Sequence, residues 1–297
     1  TASSQSGLAK VSVDAGAQVL THGANSRAVA ATSNQAAGGV LVTNAGTLVS
    51  EKAEGIYAIG RNQGTTIEHS GSVKGTIGIY AQNSGAGAIN IHTSGDVNGT
   101  LIHGIQVSNV GTSLDANVTQ TGGKIFGQKD GINLINKGVG STNLVLDGTI
   151  ESNTSNAVSA QNTAASAKDL TLKQSSTGKI LGDYHGIYVN NQGDNAATIV
   201  ETSGEINATR MYGIYAANSG LAKDISITQK DGSISGNAYG IYANHAGIGA
   251  VVIQQDAGKI EARSDVGIYA KNTSSGTDIN VTQANGSVLG KNYGMYI

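Results

Sequence analysis

Among its 297 residues the chain has no cysteine, no proline, no tryptophan and a single phenylalanine. Missing cysteine removes disulfides, thiolate metal sites and cysteine nucleophiles together. Scarce bulky aromatics argue against an ordinary globule, whose wide interior needs them as filling. Charge is also sparse: 18 basic against 20 acidic residues, a formal net charge of −2 and no Lys/Arg cluster. Nucleic acid and anionic membrane surfaces are therefore poor partners. No run of about 18 apolar residues is present that could cross a membrane as a helix. The first nine residues lack the charged and apolar regions of a signal peptide. The 43 glycines follow no Gly-X-Y period, which excludes collagen. Val, Ile and Leu recurring at low net charge argue against disorder.

What the chain does have is a repeat. Gly-Ile-Tyr recurs at 55–57, 78–80, 186–188, 213–215, 240–242 and 267–269. Degenerate copies begin at Gly104, Gly131 and Gly294, and two weaker ones fit at Arg27 and Asn156. Repeats thus begin near 27, 55, 78, 104, 131, 156, 186, 213, 240, 267 and 294, and the last four intervals are 27 residues each. Within the unit starting at Gly213, the runs 213–216, 224–228 and 233–236 alternate apolar and polar residues with the period of a strand. Asn-Ser-Gly, Lys-Asp-Gly and Gly-Asn-Ala, between and after these runs, are turn chemistries that tolerate positive φ. Strands this short gain pairing and burial only by stacking on their copies in the next unit.

The expected fold is all-β, a parallel β-helix with three short strands per coil. Roughly eleven coils at about 4.8 Å each make a rod of roughly 50 Å. A narrow aliphatic interior explains the missing rings, and strands paired on both sides explain the missing proline. Residues 1–297 read as a single domain. The chain begins inside a coil, with Val11 and Val13 matched to Ile225 and Ile227, and stops after the first strand of another, so it reads as part of a longer protein. Between 131 and 185 the rhythm breaks into units of 25 and 30 residues, with a surface bulge expected near 162–168.

Repeats of the form GIYAxN…DIxIxQ…GxIxG, Gly-rich and without cysteine, resemble the passenger domains of bacterial autotransporters (type V secretion). They are most similar to the GIYA-type passengers of Bartonella and related bacteria, including the angiogenic or mitogenic group. The resemblance spans essentially residues 10–297. It implies a right-handed β-helix, exported through an outer membrane by a C-terminal translocator barrel that this sequence does not contain. It also implies a secreted or surface-held location and non-enzymatic work at the host cell, as an adhesin or receptor-activating virulence factor, with a cell-surface protein or glycan as partner. The absence of proline and disulfides is compatible with threading through a pore, and equally with repeat composition alone.

If Ile and Ala of the repeat face inward, Tyr faces out. This gives Tyr57 and Tyr80, then an unbroken C-terminal run of Tyr188, Tyr215, Tyr242, Tyr269 and Tyr296, interrupted between the two at Gln106, Asn133 and Val158. Such a column suits either a contact strip for a partner or a stabilising ladder. A parallel column of Asn83, Asn109, Asn136, Asn191, Asn218 and Asn272, with His245 in the same place, reads as structural. No cofactor or metal site and no catalytic set is expected. Asp115, Asp169, Asp224 and Asp278 recur, but on alternate coils, too far apart to share an ion. Glu68 and His92 pair outward with only Thr119 beside them. No G-x-S-x-G, RTX calcium repeat or Arg-Gly-Asp is present. The runner-up readings are a passive stalk presenting activity located elsewhere and, behind it, a polysaccharide-active β-helix enzyme.

Overall fold

The computed structural model describes residues 1–4, 7–33, 38–273 and 275–297. One coil runs through the strands Tyr212–Asn218, Ile225–Gln229 and Ser233–Gly236. The next repeats it as Tyr239–His245, Val251–Gln255 and Lys259–Ala262. Each strand pairs in parallel with its copy one coil on: Ile214 with Ile241, Ile227 with Ile253, Ile234 with Ile260. Extended along the chain, this builds three sheets of 12, 11 and 11 strands. The chain is a parallel β-helix of about 11 turns, as its repeat predicts.

Alternation explains the interior. On the first sheet Ile56, Ile79, Ile105, Ile132, Val158, Ile187, Ile214, Ile241 and Ile268 stack as one wholly buried column. Similar columns of Ile, Val and Leu line the other two sheets, and among the described residues no tyrosine or phenylalanine enters this core. Glycine before the inward Ile is steric: a Cβ on Gly213 would lie 2.6 Å from the Gly240 carbonyl oxygen and 2.7 Å from Ile234. At the second corner, Gly232 and Gly258 have φ of +75° and +84°, a region in which glycine is unpenalised.

Two polar columns are buried where the first and second sheets end. The expected Asn column is present, and Asn162 supplies a rung the repeat did not suggest. Its main task is closing turns: Asn218 Nδ2 donates to the carbonyls of Lys223 (2.8 Å) and Asp224 (3.0 Å). Rung-to-rung bonds join Asn109, Asn136 and Asn162. The second column is Gln120, Gln174, Gln229 and Gln255, each donating to the carbonyl of a turn glycine in its own coil. All four also reach the next coil, at Thr149, Glu205, Lys259 and Ser287. Leu146 takes this place in the irregular region.

Register corrects three sequence alignments. Val29 pairs with Ile56 and Val158 with Ile132, so Ala28 and Ala157, not Arg27 and Asn156, hold the glycine position. The residue that interrupts the tyrosine column is therefore Ser159 rather than Val158. The weak copies lack glycine and tyrosine, so only inward burial could fix their frame. Likewise Ala9 and Val11 occupy the inward column, and Val13 aligns with Asn44 at its polar end. The long unit carries connection 163–169 where a bulge was expected. Its second connection, 175–178, has four residues where the next coil's, 203–204, has two. There Ser175 and Thr177 both donate to Asp147, which depresses the carboxyl below its ordinary pKa.

Candidate functional site

The first sheet's outer face carries the tyrosine column. Tyr188, Tyr215, Tyr242, Tyr269 and Tyr296 stack consecutively, with centroids 5.0, 5.4, 4.9 and 5.4 Å apart and planes within 3–5° of parallel. This spacing follows from the strands beneath, which sit about 4.8 Å apart. Because each ring's faces lie against its neighbours, edges and hydroxyls are what the column offers to solvent. Partial burial raises the pKa of Tyr188, Tyr215 and Tyr242 above the ordinary phenol value, so the hydroxyls stay protonated donors. Tyr57 and Tyr80 form a separate stacked pair at 5.3 Å. Arg27 lies 3.8 Å over the Tyr57 ring and is held by Glu54 at 2.8 Å.

A second aromatic column flanks the first and was missed from sequence. Tyr212, Tyr239 and Tyr293 precede the repeat glycine, and Tyr212 stacks on Tyr242 at 5.1 Å. Tyr239 is pushed up to about 12, first by desolvation and then by Asp265. At the column's N-terminal end His185 is enclosed by Tyr184, Tyr188, Tyr212 and Tyr215, with centroids 4.6–5.9 Å away. Its Nδ1 accepts the Tyr212 N–H at 3.3 Å, and burial lowers its pKa to about 4. The available signal was Tyr-Gly-Ile-Tyr, repeated at 212–215 and 239–242 and degenerate at 293–296.

Between the two tyrosine runs the same columns turn polar. Gln106, Asn133 and Ser159 replace the tyrosines, and His103, Asp130 and Asn156 stand before the glycine position. His103 and Asp130 are buried, with Nδ1 and Oδ2 3.3 Å apart. Burial lowers the His103 pKa, with Asp130 opposing that shift. Asn133 Nδ2 is 3.2 Å from His103 Nε2, and the Asn156 N–H donates to Asp130 Oδ1 at 3.0 Å.

Three of the four recurring aspartates have a structural role. Asp115, Asp169 and Asp224 each accept a backbone N–H of the next coil, from Ser141, Ala197 and Ala250, at 2.8 Å. The alternation follows the pairing: each Asp caps the N–H of a Ser or Ala at the same position one coil on. Glu68 and His92 do pair, at 2.9 Å, half-exposed on the second sheet. The adjacent His69 is tied to Asn44 and to the Asp96 carbonyl. Among the described residues no three His, Cys, Asp or Glu side chains converge as a metal cluster. A β-solenoid with an aromatic ladder along one sheet is the class that fold and face define. Comparison with protein-family models, curated proteins and solved structures finds no match in any of the three.

Proposed function

We propose that this chain is part of a secreted or surface-held autotransporter passenger that binds the host cell surface without catalysis, as an adhesin or receptor-activating ligand. The observation that carries this reading is the double tyrosine column of coils 186–297, the one extended aromatic surface among the described residues. A protein receptor is the favoured partner. Ring faces are covered by neighbouring rungs, so a sugar would meet edges and hydroxyls rather than open aromatic faces, whereas Tyr at a protein interface works through edge packing and its hydroxyl. The test is saturation binding of the labelled, purified chain to cultured endothelial and epithelial cells. Saturable, competable binding supports the reading; linear, non-competable uptake overturns it.

The same covering of ring faces favours the passive stalk as second reading, because a ladder can stabilise the rod with no partner. Each stacked pair is worth about 0.5–1.5 kcal/mol beyond its buried area. A stalk binds no cell, and removing rungs costs stability alone.

A further inference from the structure

The polar interruption of the first sheet holds buried atoms with nothing to bond. His103 Nδ1, Asn133 Oδ1 and Asn156 Oδ1 are all buried and without hydrogen-bond partners. They belong to successive coils around the His103–Asp130 pair: His103 Nδ1 faces Asp130, Asn133 contacts the other ring nitrogen, and Asn156 donates its N–H to the Asp130 carboxylate. Side chains of His103 and Asp130 are each only 10% exposed. Unpartnered buried polar atoms are costly and rare, so a cluster of them points to a missing occupant.

The geometry narrows that occupant. Nδ1 and the Asp130 Oδ2 lie 3.3 Å apart, yet no hydrogen bond joins them. Two ligand bonds of about 2.1 Å at a tetrahedral angle place nitrogen and oxygen about 3.4 Å apart. On the far side of the ring the Asn133 amide sits against Nε2 at 3.2 Å. An amide can present either end. With its oxygen toward the ring it accepts Nε2–H, which fixes the tautomer and leaves the Nδ1 lone pair facing Asp130. A metal-binding histidine is normally oriented in this way by a neighbour on its other nitrogen. Asp130 Oδ1 is meanwhile held by the Asn156 N–H, so Asn156, whose own Oδ1 has no partner, is the neighbour of this carboxylate on the next coil.

We propose that His103 Nδ1, Asp130 Oδ2 and Asn156 Oδ1 bind one divalent first-row metal ion of the Zn2+ class, with Asn133 orienting the imidazole and water completing the shell. Imidazole with one carboxylate and an amide oxygen suits such an ion better than Mg2+ or Ca2+, which take oxygen ligands alone. The ion would tie three coils together where the repeat is least regular. Lys129 is the cation next to the site; it is exposed and free to turn outward.

Two exposed pairs, His22 with Glu51 and His92 with Glu68, could also collect metal, so the test is run in the His22→Ala/His92→Ala chain. After removal of metal with a chelator, the chain is titrated with Zn2+ by calorimetry, with Mg2+ and Ca2+ in parallel. One Zn2+ per chain is expected, with no comparable Mg2+ or Ca2+ binding and an unfolding temperature that rises with Zn2+ concentration. His103→Gln and Asp130→Asn should each weaken binding at least tenfold, as should the milder Asn156→Ala, which serves if the first two disturb folding. Histidine nitrogen NMR should show Zn2+ shifting His103 Nδ1 specifically. Absence of Zn2+ binding in this background, or binding left intact by His103→Gln, would leave a plain His–Asp pair and overturn the proposal.

Discussion

From residue 185 onward the two outer columns of the first sheet are almost wholly aromatic, whereas between 103 and 159 they read Gln106, Asn133 and Ser159 beside His103, Asp130 and Asn156. Beneath both regions runs the same interior, with Ile105 and Ile132 as deeply buried as Ile214 and Ile241. The buried Asn column also continues through both, by way of Asn109, Asn136 and Asn162. Stacking therefore fixes the inner columns, because each rung must match the rung below in size and hydrogen bonding. The outer columns also stack rung on rung, but with one side toward solvent they accept either aromatic or polar rungs. Differences of activity between the regions belong on the outer face.

The largest effects should be the same in both regions. Ile241→Asp and Ile132→Asp each place an unpaired charge in a wholly buried position and should cost roughly 4 kcal/mol or more. Thermal unfolding checks this, and an unchanged transition for either would break the shared-core comparison. Next come the polar rungs. Asn218→Ala strands the Lys223 and Asp224 carbonyls and the Thr198 hydroxyl. Asn162→Ala strands the Lys168 carbonyl and the Thr142 hydroxyl. About 2–3 kcal/mol is expected from each, measured by denaturant unfolding; a loss in one region only would show that the column is not common to both.

At the boundary between the regions, His185 titrates at about 4 when folded against an ordinary 6.5. As pH falls through 6.5 the unfolded chain takes up this proton first. Its contribution is therefore complete above that pH and is lost progressively down to about 4. A loss of order 2 kcal/mol over this window is expected from the shift, partly abolished in His185→Gln, which leaves the other lowered histidines, His69, His103 and His245. Identical pH profiles for the two chains would contradict the buried, neutral imidazole. The smallest effect sharpens the comparison by converting one region toward the other. Gln106 lies in register with Tyr80, so Gln106→Tyr should lengthen that ladder by one rung and gain about 0.5–1 kcal/mol, read as a small rise in melting temperature.

Most of the architecture was legible in the sequence because the repeat is its own register: Gly-Ile-Tyr marks the first strand of each coil, and alternation assigns inside and outside. The frame slipped by one residue at Val29 and Val158 because Ala28 and Ala157 replace the marker glycine there. Of the site, the five stacked tyrosines were legible from spacing alone. Tyr212, Tyr239 and Tyr293 were not, since each is the first residue of its strand; at 212 and 239 the next two residues are both buried, so alternation does not say which way the tyrosine points. The His103–Asp130 pair was hidden with them: both stand before the repeat glycine, at the same position as Tyr212 and Tyr239, and become neighbours only once the coils are stacked. The Gln column was present in the quoted repeat, but its burial depends on the turn that follows it.

The central claim is that contact with the cell resides on the tyrosine face of coils 186–297. Its most direct test is cell binding of three folded chains side by side: the unaltered protein, Tyr215→Ala/Tyr242→Ala, and Gln106→Ala/Gln161→Ala on the same sheet's polar region. Loss of saturable binding, at least tenfold, in the tyrosine variant alone is the predicted result. Equal binding by all three would contradict the claim and leave the tyrosines as a ladder that only steadies the rod.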